Sequence, residues 1–158
     1  MADRSKVQIT LESIQDDGEP QVSRYTGDWF RKELSMYVRY EEQVEAEGGA
    51  AQSIRTVIRM REDELTLTRR GLVNSEQLFV PGVRMPGSYR SPYTAFQLHT
   101  VTRELRYRTS SNGVLVQGAD VAALEPSYIV EWKYDLIVNE ELSGRFHIRL
   151  HIQGEPNT

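Results

Sequence analysis

The chain has 158 residues, a formal net charge of −4 and no cysteine. A chain of this length buries about two-thirds of its unfolded surface around a single core and needs no covalent staple. The composition excludes disulfides, thiolate catalysis and cysteine-ligated metal sites, and its net negative charge argues against a general nucleic-acid binder. The first residues lack an apolar signal core, and no apolar run approaches the roughly 20 residues of a membrane helix, so the expectation is a cytoplasmic protein without membrane association. Charge is uneven: residues 1–50 hold 11 acidic and 6 basic side chains, a net of −5, which leaves +1 for residues 51–158. Glu41, Glu42, Glu45 and Glu47 lead into Gly48-Gly49, and like charges clustered in this way read as a solvated acidic loop over about residues 41–52.

Alternation of apolar and polar residues with a period of two, the signature of a half-buried strand, dominates the chain. Val7, Ile9 and Leu11 alternate with Lys6, Gln8, Thr10 and Glu12 in a first strand, which Asp16-Asp17-Gly18 turns. Residues 21–30 read as a second strand because Val22, Tyr25, Trp29 and Phe30 are β-prone, although Gly27-Asp28 also suits the start of a short helix through Leu34. Met36, Val38 and Tyr40 mark a third strand. Ile54, Ile58 and Met60 mark a fourth, with Arg55, Arg59 and Arg61 opposite, and beyond Glu62-Asp63-Glu64 the alternation of Leu65 and Leu67 with Thr66 and Thr68 marks a fifth. Sequential strands of this kind form a meander.

The stretch from Arg69 to Tyr93 interrupts the rhythm. Gly71, Pro81, Gly82, Pro86 and Pro92 stand where a sheet is bent, cornered or ended. Arg70, Arg84, Tyr89, Arg90 and Tyr93 are its candidate ligand-binding residues at a barrel mouth, where Arg69 stands with the other arginines. Arginine grips a carboxylate or phosphate through a planar fork, and tyrosine joins an apolar body to a hydroxyl that bonds ligand or backbone. The plainer use of these arginines, with Arg69 among them, is to pair with acidic neighbours.

Farther on, Phe96 and Leu98 occupy even positions while Val101 and Leu105 occupy odd ones, which predicts a bulge near His99 or Thr100 if both pairs face one core. Asn112-Gly113 marks a turn, and residues 113–127 read as an inserted loop with one helical turn. Tyr128, Val130, Trp132, Tyr134, Leu136 and Val138 share one face of a strand, and Phe146, Ile148, Leu150 and Ile152 share a face of the next, across Asn139-Glu140-Glu141. About eight to ten strands with essentially no amphipathic helix leave a barrel or a sandwich. Long strands at 94–108 and 128–138 favour an all-β, up-and-down antiparallel barrel, because closure removes long exposed edges. One barrel domain over residues 1–158 is the expectation.

Chemical motifs are sparse. His147 and His151 have metal-ligand spacing on a helix, but four residues along a strand span about 13 Å, so no metal site is expected there. Glu131 and Asp135 have the same spacing and stand too far apart for a glycosidase pair. Arg145, His147, Arg149 and His151 form a stripe that is either a solvated outer face or, alongside Arg55, Arg59 and Arg61, an anion-binding surface. The sequence contains no Gly-x-Ser-x-Gly elbow, phosphate-cradling glycine loop or Glu-x-Glu-x-Lys tunnel pattern. Neither a cofactor nor a catalytic residue is expected.

Val7-x-Ile9-x-Leu11, Arg70-Gly71-x-Val73 followed by Phe79 and Gly82, Tyr89-x-Ser91-Pro92-Tyr93 and a late Tyr134-x-Leu136 strand together resemble the YwiB-like family of uncharacterised bacterial proteins. Nearly the whole chain takes part. Thr94 departs from the glycine usual after the second tyrosine, and the 113–127 region is longer than usual. The resemblance implies a calycin-like, lipocalin-related β-barrel and no established activity; such barrels generally hold small, often apolar ligands. Three readings follow. The first is a non-enzymatic binding protein with a small amphipathic or anionic ligand in or at the mouth of the barrel. The second is a protein-interaction or structural module that self-associates as a homodimer, and the third is a hydrolase with Arg70, Tyr89 and Tyr93 around its substrate.

Overall fold

A computed structural model describes residues 3–45, 48, 49 and 51–155. They form β1 (Arg4–Gln15), β2 (Gln21–Lys32), β3 (Ser35–Glu45), β4 (Ala51–Met60), β5 (Leu65–Gly71), β6 (Asn74–Phe79), β7 (Arg84–Arg90), β8 (Ala95–Thr109), β9 (Leu115–Val116), a 3-10 helix (Gly118–Ala123), β10 (Tyr128–Val138) and β11 (Glu141–Gly154). Ten strands make a closed antiparallel up-and-down barrel. β1 to β8 follow one another around the wall, and β10 pairs with β8 while β11 pairs with β1 to complete the ring. The two-residue β9 extends the edge of β8 beyond β7. Closure leaves no long unpaired edge. Among the described residues no helix is long and apolar enough to cross a membrane.

The alternating positions meet inside. Val7 and Ile9 of β1, Met36, Val38 and Tyr40 of β3, Ile54, Ile58 and Met60 of β4, and Val130, Trp132, Ile148, Leu150 and Ile152 of the last two strands are all buried. Residues 21–32 are strand throughout, with Trp29 fully buried, so the helical alternative is set aside. Tight turns hold the register: Asp16 and Asp17 have φ of 51° and 58°, and Asn139 and Glu140 have 54° and 62°, the left-handed pairs that match the twist of a hairpin.

Two expectations are corrected. The bulge in β8 lies at Arg103, not at His99 or Thr100, because Lys133 pairs with Glu104 while Tyr134 pairs with Thr102. Thr100 and Thr102 are buried and carry the inner face onward from Leu98, which leaves Val101 on the outer one. Apolar character alone had marked Val101 as inward. The acidic stretch is also not all loop: Glu41, Glu42 and Glu45 continue β3, opposite Arg55, Ile54 and Ala51. Alternation sends these charges to opposite faces, so Glu41 meets Arg55 at 3.9 Å outside while Glu42 points inward. Residues 46, 47 and 50 of that stretch, Glu47 among them, lie outside the described residues.

One end of the barrel is solid. Trp29, Met36, Met60, Tyr107 and Tyr128 fill it, each fully buried, and large apolar side chains contribute about 1.5–3 kcal/mol apiece on burial. Nε1 of Trp29 donates to the Tyr128 hydroxyl at 3.0 Å, and the Tyr107 hydroxyl donates to the Arg61 carbonyl at 2.6 Å. The 3-10 segment covers this end, with Val121 and Leu124 joining the core. Arg31 clamps it: its guanidinium lies over the Trp29 ring at 5.0 Å and donates to the carbonyls of Ala122 and Leu124, the latter at 2.7 Å.

Candidate functional site

At the opposite end the inner side chains do not meet, and a cavity of about 400 Å³ remains. Tyr25 and Tyr40, from β2 and β3, stack at 4.4 Å on one wall. Phe79 stands against Tyr134 at 4.6 Å and Trp132 at 5.7 Å on another. Ile58 and Ile148 lie deepest along their strands, and Ser13, Gln21 and Ser23 form part of the rim.

The remaining wall is charged. Thr56 of β4 pairs in register with Tyr40 of β3 on one side and Arg69 of β5 on the other, which places Glu42, Thr56 and Arg69 on one inner patch. Arg69 grips Glu42 at two points, Nε to Oε2 at 3.1 Å and Nη2 to Oε1 at 3.3 Å. The Thr56 hydroxyl donates to Oε2 of Glu42 at 2.7 Å. The patch therefore offers donors and acceptors with no net charge, and both side chains keep some contact with solvent, 27% for Arg69 and 19% for Glu42. Burial pushes the Tyr134 hydroxyl up to about 12 despite a hydrogen bond with Gln77. Burial, reinforced by the Glu42 carboxylate, also raises Tyr40. Both phenols stay protonated at neutral pH. Nε1 of Trp132 and Oγ1 of Thr102 are buried without a hydrogen-bond partner among the described residues.

Of the residues singled out from sequence, Arg69 lines this cavity, while Arg70, Arg84, Tyr89, Arg90 and Tyr93 do not. Arg70, Tyr89 and Arg90 share a shallow groove across β5 to β8. Tyr89 stacks on Phe96 at 5.0 Å and also lines a neighbouring groove with Tyr93, which is 78% exposed. Arg70 donates to the carbonyls of Arg69 and Ser75, at 3.1 and 3.4 Å, and approaches Glu76 at 3.9 Å. Arg84 stands at the other end of β7, paired with Glu140 at 2.9 Å, so the structure does not bring it to the other four. Glu42, Thr56 and Arg69, which do line the cavity, carried a readable signal: Arg69 has the same parity as Leu65 and Leu67, and Glu42 the same as Met36, Val38 and Tyr40.

The outer stripe on β11 is engaged with its neighbours on β10. Glu131 contacts both His147 and Arg149, the latter at 3.3 Å, and Arg145 lies 3.9 Å from Asp135. Burial alone would raise Glu131, but the hydrogen bonds and charges of His147 and Arg149 outweigh it and hold the carboxyl below its usual range. His151 bonds Ser110 at 2.9 Å, and burial lowers its imidazole. β1, β2 and β3 separate β11 from β4, so the two arginine faces do not form one surface. Among the described residues there is no cluster of three or more potential metal ligands.

A family model described as a domain of unknown function, DUF1934, matches residues 7–150. The chain belongs to this family. A DUF1934 barrel finds a similar sequence in the uncharacterized beta-barrel protein YwiB of Bacillus subtilis (strain 168), 26% identical over 95 residues that cover 59% of this chain and 63% of that protein. The matched stretch is thus under two-thirds of the relative's length. The crystal structure of the ywiB protein from Bacillus subtilis superposes with a TM-score of 0.73 at 21% identity, covering 99% of this chain and 96% of that one, which shows the DUF1934 chain to share its β-barrel fold.

Proposed function

We propose that this DUF1934 barrel is a non-enzymatic binding protein of the cytoplasm that holds a small amphipathic molecule in the open half of its interior. The observation that carries the reading is the contrast between the two ends: one is packed solid under the 3-10 segment, and the other keeps a cavity of about 400 Å³. Volumes of roughly 300–1,000 Å³ with mostly apolar walls and a few convergent polar groups are typical of small-molecule sites. Aromatic walls supply contact area, and the Glu42, Thr56 and Arg69 patch supplies orientation. Arg70, Tyr89, Arg90 and Tyr93, in two surface grooves outside the cavity, are proposed as an entry surface; Arg84 takes no part.

Binding is favoured over catalysis because the one hydroxyl–carboxylate contact in the cavity among the described residues, Thr56 to Glu42, engages a carboxylate already held at two points by Arg69. Three donors engage that carboxylate at once, which suits an ion pair that shapes the wall rather than a base reserved for one hydroxyl. Extraction of the protein, purified from its own host, with organic solvent and mass spectrometry of the extract tests the reading. A small molecule recovered in near-equal proportion to the chain is expected, and its repeated absence from freshly isolated protein refutes it.

A further inference from the structure

The charge of the cavity constrains its ligand. Among the described residues Arg69 is the sole cation lining it and Glu42 the sole anion, and each takes up the other in a two-point contact. A carboxylate or phosphate seeking the guanidinium would displace Glu42 or lie beside it, and two anions sharing one cation in a partly buried site repel strongly. An amine seeking Glu42 meets the same difficulty with Arg69. A carboxamide, urea or lactam edge, which carries a donor and an acceptor together, meets neither: its N–H suits a free lone pair of Glu42 and its carbonyl suits a free N–H of Arg69.

Resting on the binding function proposed above, we infer that the cavity selects an uncharged ligand whose polar end carries both a hydrogen-bond donor and an acceptor, and that Glu42 sets this selectivity by occupying Arg69. Thr56 is a positioning residue, since its hydroxyl reaches Oε2 of Glu42 from the strand between the two charged ones and holds the carboxylate toward Arg69. The aromatic walls then take the apolar part of the molecule, with Tyr25 stacked on Tyr40 offering a flat face.

Three probes of eight carbons each separate the possibilities: octanamide, octanoate and octylammonium. Binding is followed by amide and indole resonances in nitrogen–proton NMR spectra of the wild type, Glu42→Gln and Arg69→Gln. The Trp29 indole, bonded to Tyr128 at the solid end, reports that each protein is folded. The wild type is expected to bind octanamide about tenfold more tightly than either charged probe, the size of effect that one good hydrogen bond to a charged group supplies. Glu42→Gln frees Arg69 and shifts the preference to octanoate; Arg69→Gln frees Glu42 and shifts it to octylammonium. Either variant alone suffices if the other does not fold. Tighter binding of octanoate by the wild type, or an unchanged preference in the folded variants, overturns the selectivity while the binding function survives. Failure of all three probes to perturb any cavity residue overturns both.

Discussion

Glu42 and Arg69 meet across an intervening strand: the carboxylate comes from β3, the guanidinium from β5, and Thr56 of β4 lies between them with its hydroxyl on Oε2 at 2.7 Å. Removing one partner strands the other charge in a site only partly open to water. Glu42→Ala and Arg69→Ala should therefore each destabilise by about 1–2 kcal/mol, and the double variant by less than their sum, with a coupling of about 1 kcal/mol. Urea unfolding of the four proteins measures this. Strict additivity would mean that the contact contributes nothing.

Arg31 is the clamp of the closed end. Arg31→Ala removes donors to two carbonyls of the covering segment and a cation over the Trp29 ring. A loss of about 2–4 kcal/mol is expected, with faster amide exchange at residues 118–124 than in the strands. Arg31→Lys should recover only part of it, since an ammonium cannot present a fork. Unaltered exchange in both variants would show that the segment is held by Val121 and Leu124 alone.

Thr102 carries a fully buried hydroxyl with no partner among the described residues. Thr102→Val keeps the shape and β-propensity and removes the unpaired group, so thermal unfolding should show stabilisation of about 1 kcal/mol. A loss of stability would point to a hydrogen bond made by that hydroxyl.

Most of the wall was legible in the sequence, and the reason is physical. Where a strand has one wet and one buried face, a period of two is enforced residue by residue, as from Tyr128 to Tyr134. Legibility fails where an inward position is polar. Thr100 and Thr102 face inward, and overlooking them moved the bulge from Arg103 to the vicinity of His99. Glu42 and Arg69 face inward too, but charge suggested a loop for one and a mouth for the other. Neither charge tolerates the interior alone; each is admitted because the other stands two strands away, a pairing that register reveals and composition does not. Arg70, one residue from Arg69, falls on the outer face for the same reason of parity.

Two titrations act on stability in acid. The Glu131 carboxyl is held below its ordinary value of 4.5 in the folded protein, so the stability it supplies is complete above that value and is lost as pH falls through the lower folded one. His151 is lowered by burial from 6.5, so below that pH the unfolded chain takes up a proton that the folded protein refuses, and stability begins to decline. His151→Gln should flatten the decline just below 6.5, and Glu131→Gln the steeper one in stronger acid. Denaturant midpoints across the acid range separate them; identical pH profiles for wild type and both variants would contradict the assignment.

The central claim is that the open half of the barrel is a binding site. Leu67 lines it beside Arg69 and is only partly buried, so Leu67→Trp fills the cavity while leaving the solid end untouched. Native mass spectra of the wild type and Leu67→Trp, purified side by side from the same host cells, test the claim directly. A small non-covalent mass on the wild type that is missing from the variant is the predicted result. The same adduct on both proteins, or the bare chain in both, would contradict it.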